Sequence, residues 1–298
     1  MMPAAAAQDA ANQANAEEGA FDLGTLLMDK IADHDYVAIG SWHFDFPHWE
    51  PVRIAGLTFD FSISSKVFFM ALAGVLCLVT FLIVGRIFAR MQADEAPSGF
   101  SNAVEAMIVF FRDQVVRANI GHGADQFTPF ILTLFFFILY MNLLGLVPFG
   151  DSSTASISVT AALAILVFLW VEIAGFRELG PAGYARTIFY APPGLGGVGK
   201  AIMLAIMTPV ELMGKLAKPF ALAVRLFANM TAGKVLIMAL LGLIFVFGDL
   251  ALGRWGIAGA AVGMAAAITL LKVFIALLQA FIFAMLSAVF IGLIRHAH

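Results

Sequence analysis

Five apolar runs, at about 67–87, 127–147, 158–176, 200–247 and 256–294, leave the chain few ways to fold. A hydrocarbon core about 30 Å thick is crossed by roughly 20 helical residues. Only helices and closed barrels satisfy every backbone polar group at that depth. The expected fold class is therefore an all-α integral membrane protein with five transmembrane helices. Charged residues make up 12% of the 298 positions, where a soluble domain carries about 25%. The basic residues are scattered among the flanks of the apolar runs, which speaks against nucleic-acid binding. Cys77 stands alone, so no internal disulfide forms, and its apolar surroundings suit simple packing.

Residues 103–120 have a different pattern. Val104, Met107, Ile108, Phe111, Val115 and Ile120 alternate with Glu105, Arg112, Asp113 and Arg117. This amphipathic mixture predicts a helix on the membrane surface, or packed against partners there. The last run, of about 39 residues, would span about 58 Å as a helix. It must tilt or protrude, and with the fourth run it forms a long antiparallel hairpin. Pro209 and Pro219 mark kinks in the fourth run. Residues 177–200, rich in Gly and Pro, read as a loop. Within it, GLGGVGK lacks the GxxxxGK[ST] spacing of a phosphate loop, and no strand precedes it.

Two domains are expected: an acidic extracytoplasmic segment, 1–65, and a membrane domain, 66–298. Residues 1–60 hold ten acids against Lys30 and Arg53, and their first stretch has neither the basic nor the apolar region of a cleavable signal peptide. His34, His43 and His48 match no firm ligand spacing, so no metal is expected. Trp42, Phe44, Phe46 and Trp49 suit a membrane interface. Arg86, Arg90, Arg112, Arg117, Arg177, Arg186, Lys200 and Arg295 fall on one side of five crossings. The positive-inside rule makes that side cytoplasmic, with the N-terminus outside and the C-terminus inside.

The chemistry is concentrated in 211–234. Glu211, Lys215, Lys218, Arg225 and Asn229 follow at intervals of four, three, seven and four, which places them on one face of a helix. Arg225 is the costly member, at roughly 2.5–3.5 kcal/mol for an arginine at the centre of a membrane helix. No acid lies three or four residues away, so its partner must come from elsewhere, such as another subunit. In the last run, Lys272 and Gln279 share a face, being seven residues apart. Counting back from a turn centred near 252 puts Gln279 and Arg225 at equal depth. Lys234, nine residues beyond Arg225, lies about 180° round the helix and serves a different face. Glu172 stands near the end of the third run.

RLFANMTAGK with LLQAFIFAMLSAVFIG resembles the proton-channel subunit a of F-type ATP synthases. TPFILTLFFFILYMNLLGLVPF is similar to that family's second membrane segment, with its Met-Asn and Gly-Leu-x-Pro pattern. The resemblance covers about residue 60 to the end. It implies a non-catalytic subunit of a bacterial inner membrane complex, without cofactor, beside a rotor ring of c subunits and the peripheral-stalk b subunits. Arg225 would correspond to the stator arginine that faces each rotor carboxylate, with Asn229 and Gln279 beside it. Glu211 and Lys218 would correspond to positions on the cytoplasmic side, and Lys215 and Glu172 remain path candidates. The chain departs from the pattern at Lys234 and Lys272, where the family usually carries a Glu/His pair, and at Ser156, where many members have an acid. A secondary transporter with Arg225 and Glu211 at its binding site stays open as an alternative, although no second copy of the Arg225 segment exists. A non-transporting scaffold is the third reading, and it leaves Arg225 and Gln279 without a reason.

Overall fold

The computed structural model describes residues 36–39, 42–47, 52–54, 57–59, 62, 64–147 except 91–98, 150–189, 196–246 and 254–295. His34, His48, Trp49 and the turn expected between the last two runs lie outside them, as does most of the acidic segment.

Among the described residues, two short antiparallel hairpins precede the helices. β1 (Tyr36–Ile39) pairs with β2 (Trp42–Asp45), and β3 (Val52–Ile54) pairs with β4 (Leu57–Phe59). The membrane part is helical throughout: α1 (Ser65–Arg90), α2 (Phe100–Phe110), α3 (Thr128–Leu144), α4 (Ile157–Ile188), α5 (Gly197–Val246) and α6 (Arg254–Arg295). Five of these are long and apolar enough to cross a membrane, with α2 the exception. The five-helix reading holds, with ends within a few residues of those expected except at the end of α4, which runs to Ile188 instead of 176.

The chain forms two compact units. The larger comprises His34–Met230 and Val273–His298. Its core joins Ala73 and Cys77 of α1, Ile131, Phe135, Ile138 and Met141 of α3, Val167 and Val171 of α4, Leu222 and Leu226 of α5, and Phe283, Ala288 and Ile291 of α6. The second span, Ala124–Leu144, is 61% buried against 28% for the first, so α3 is the central staff and α1 an outer one. Thr80 and Tyr140 join those two by a hydroxyl–hydroxyl bond of 2.7 Å. Beyond α2 the helix continues as a π-helical turn (Phe111–Arg117) and a last turn to Ile120. Phe111, Val115, Val116 and Ile120 are buried here while Arg112, Asp113 and Arg117 remain outside, so the amphipathic reading holds. The Arg112 side chain hydrogen-bonds Asp113 and, with Arg117, holds its carboxyl below the ordinary range.

Within this unit α5 and α6 run antiparallel. Lys218 lies over the ring of Phe290, and Asn229 bonds Gln279, so numbers rise on one helix as they fall on the other. Pro209 and Pro219 both lie inside one continuous helix. The smaller unit comprises Met1–Asp33 and Thr231–Lys272, of which the end of α5 and the start of α6 are described.

One expectation needs correction. Residues 177–188 are helical, not loop, and α4 continues through them after a break at Gly180. Gly180 takes φ 66° and ψ 172°, a conformation essentially reserved for glycine. Pro181 then restarts the helix, where its fixed φ and missing N–H are no handicap.

Candidate functional site

Polar side chains gather at four places. The first is the middle of α5. Arg225 and Asn229, one turn apart, are both exposed on one face of α5. Among the described residues no carboxylate pairs with Arg225. Asn229 Nδ2 donates to Gln279 Oε1 at 2.8 Å, and Gln279 is only 2% exposed. The equal-depth argument from sequence thus brings Gln279 beside the Arg225 turn. Gln279 Nε2 is buried without a partner. An amide in this state still has a donor to offer.

The second place is a cavity of about 290 Å³ lined by Glu172, Arg186, Glu211, Lys215, Lys218 and Phe290, among others. Four of the sequence-predicted residues thus meet around one space. They do not share one environment. Glu211 and Lys218 are exposed, whereas the side chain of Lys215 is only 9% exposed and stands 3.6 Å from Glu172 Oε1. On the helix Lys215 sits about 80° from Arg225, in line with the buried Leu222 and Leu226.

The third place was not foreseen. Ser152 and Thr154 share a hydroxyl bond of 3.0 Å, and Thr154 Oγ1 donates to Asn142 Oδ1 at 2.8 Å. Asn142 Nδ2 in turn reaches the carbonyl of Ala276, one turn before Gln279, at 3.4 Å. All three side chains are at most 1% exposed. A lone Asn inside an apolar span was the available signal, since a buried amide needs partners. Ser156, in the same loop, accepts from Thr160 Oγ1 through its backbone carbonyl.

The fourth place is in the smaller unit. Lys272 is 7% exposed, and its aliphatic end lies against Gly233: a Cβ built on that glycine would stand 2.7 Å from Lys272 Cε. Lys234 is within electrostatic reach of Lys272. The two lysines thus occupy one neighbourhood. Among the described residues no group of three or more His, Cys, Asp or Glu could hold a metal ion.

Comparison with known proteins agrees with this arrangement. The family model described as ATP synthase A chain matches residues 67–292. ATP synthase subunit a of Chloroherpeton thalassium is 41% identical over 260 residues, covering 86% of this chain and 74% of the relative. ATP synthase subunit a 2 of Prosthecochloris aestuarii is 39% identical over 280 residues, covering 94% and 82%. Subunit a of Anaeromyxobacter dehalogenans is 39% identical over 302 residues, covering 95% and 74%. The match takes in essentially all five apolar helices and both residues of the Asn229–Gln279 bond, and on that footing the chain belongs to the ATP synthase subunit a family.

Proposed function

We propose that the chain is the stator proton channel in the membrane sector of a rotary ATP synthase. The observation that supports this reading is the exposure of Arg225 on a helix otherwise rich in apolar residues, with no carboxylate paired to it among the described residues, next to an Asn229–Gln279 bond that fixes the neighbouring turn. A cation so placed favours the ionised form of an incoming carboxylate and lowers its pKa. Each c subunit of the rotor ring would bring such a carboxylate past Arg225 and lose its proton there. Arg225 also keeps two proton paths apart, because a fixed positive charge repels a proton that would pass directly between them.

The cavity of Glu172, Glu211, Lys215 and Lys218 serves as the cytoplasmic half-channel, in keeping with the cytoplasmic side assigned to Arg177, Arg186 and Lys200 by the positive-inside rule. Lys234 and Lys272 belong to the outer path. A buried lysine titrates readily enough to pass a proton when neutral. The N-terminus is periplasmic, residues 1–65 form an extracytoplasmic segment and 66–298 the membrane domain, and the b subunits of the peripheral stalk hold the chain against rotation.

The test is Arg225→Ala and Arg225→Lys in the assembled enzyme, read by proton-driven ATP synthesis in membrane vesicles. Both should abolish synthesis with the subunit still present, the lysine because a compact ammonium does not reproduce the planar fork of donors. Full coupling in either variant sinks the assignment.

A further inference from the structure

Lys215 is separated from the rest of its stripe. Its ammonium meets three features of α4: Glu172 Oε1 at 3.6 Å, the Tyr184 hydroxyl at 3.4 Å, and the face of the Tyr184 ring, 4.5 Å from the centroid. Glu172 and Tyr184 are twelve residues apart, about 18 Å along a straight helix. No single ammonium touches both on such a helix. They converge because α4 breaks at Gly180 and turns back, which also brings the Tyr184 ring edge-on to Phe176 at 6.0 Å. Arg186 and Thr187, on the returning turn, line the cavity, and Thr187 Oγ1 bonds the Tyr184 carbonyl at 2.8 Å.

We propose that Tyr184 is a positioning residue of the cytoplasmic half-channel: with Glu172 it clamps the Lys215 ammonium to the cavity wall. The inference rests on the reading of this cavity given above. The charged groups around the space are Glu172, Arg186, Glu211, Lys215 and Lys218. Clamped beside Glu172, the Lys215 charge is compensated. Released, it stands in the cavity that Lys218 also lines and opposes a passing proton. The break at Gly180 is thus the feature that brings the second jaw of the clamp into place.

The experiment uses the assembled membrane sector in liposomes, with passive proton conduction measured at low and high salt. Tyr184→Ala should lower conduction about tenfold at low salt, the scale of one uncompensated charge acting over about 12 Å at an effective dielectric near 20. High salt should recover part of the loss by screening. Tyr184→Phe keeps the ring contact and should change conduction less than about twofold. The deciding variant is Tyr184→Ala with Lys215→Met, which leaves no cation to stray and should conduct several times faster than Tyr184→Ala alone. If Tyr184→Ala fails to assemble, Glu172→Gln releases the same ammonium from the other jaw and should show the same recovery on adding Lys215→Met. A double variant no faster than its parent overturns the clamp and reduces Tyr184 to wall packing. Arg225→Ala run in parallel keeps the two readings apart: a coupled Arg225→Ala sector defeats the proposed function, whereas failed recovery alone defeats only the clamp.

Discussion

Asn229 and Gln279 are fifty residues apart in sequence and 2.8 Å apart in space, joined amide to amide one turn beyond Arg225. The bond links a nearly buried side chain on α6 to an exposed one on α5, so it fixes the outward face of α5 from behind. Gln279→Leu removes it while filling the same volume. The stability cost should stay within about 1 kcal/mol, since an unpaired buried Nε2 disappears along with the bond. ATP-driven proton pumping in inverted vesicles should fall severalfold. Gln279→Glu should be worse, because a fixed carboxylate near the Arg225 turn competes with the mobile one. Wild-type pumping in Gln279→Glu counts against any role for this contact.

Gly233 gives Lys272 the room it occupies. Adding a methyl there meets the far end of a flexible side chain, at 2.7 Å from Cε, and so displaces the ammonium without disturbing the backbone. Gly233→Ala should therefore assemble normally and alter the pH dependence of passive proton conduction, as Lys272→Gln should. Unchanged profiles in both variants, and in Lys234→Gln, remove the lysines from the path.

Gly292 is a different kind of contact. A Cβ there would collide with the backbone carbonyl of Asn119, which has no rotamer to change. Gly292→Ala forces α6 away from the end of the surface helix and should cost about 1–3 kcal/mol, the usual range for overpacking. Thermal unfolding of the detergent-solubilised complex is the measurement, with Gly256→Ala, where a Cβ meets open space, as the control.

Asp113 should contribute an acid limb to stability. Its carboxyl is held below the ordinary range first by the Arg112 hydrogen bond and further by Arg117. The contribution is present above the ordinary carboxylate pKa near 3.9 and is lost as pH falls through the lowered value. Asp113→Asn should flatten the pH–stability curve only below about pH 4, and less so in high salt, since both partners are exposed. A difference that persists at pH 7 in high salt would indicate packing instead.

The membrane helices were legible because hydropathy acts residue by residue, and the Arg225–Gln279 depth match because antiparallel helices count back equally from a turn. What escaped the sequence depended on one backbone angle or on a third element. Gly180-Pro181 signals punctuation, and punctuation was read as a loop; in space it is a hinge between two helical pieces. Tyr184 gains its place only through that hinge. Lys215 lies at the edge of the stripe, where helical geometry alone does not decide between the open face and α4. Asn142 was visible as an oddity in an apolar run, but its partners come from Thr154 and α6, which no local pattern announces. The hairpins of 36–45 and 52–59 lie in a segment whose charges, histidines and aromatic residues say nothing of strand pairing.

The unmatched guanidinium of Arg225 bears on how the subunit survives its own synthesis. A chain left alone in the bilayer keeps an arginine on an apolar face, at a standing cost of roughly 2.5–3.5 kcal/mol or more. Under the proposed function, a rotor carboxylate docking against it would relieve that cost only once assembly has occurred. On that reading an unassembled copy would be less stable in the membrane than an assembled one. The residue proposed to gate protons would double as the checkpoint that keeps an unpartnered channel from accumulating.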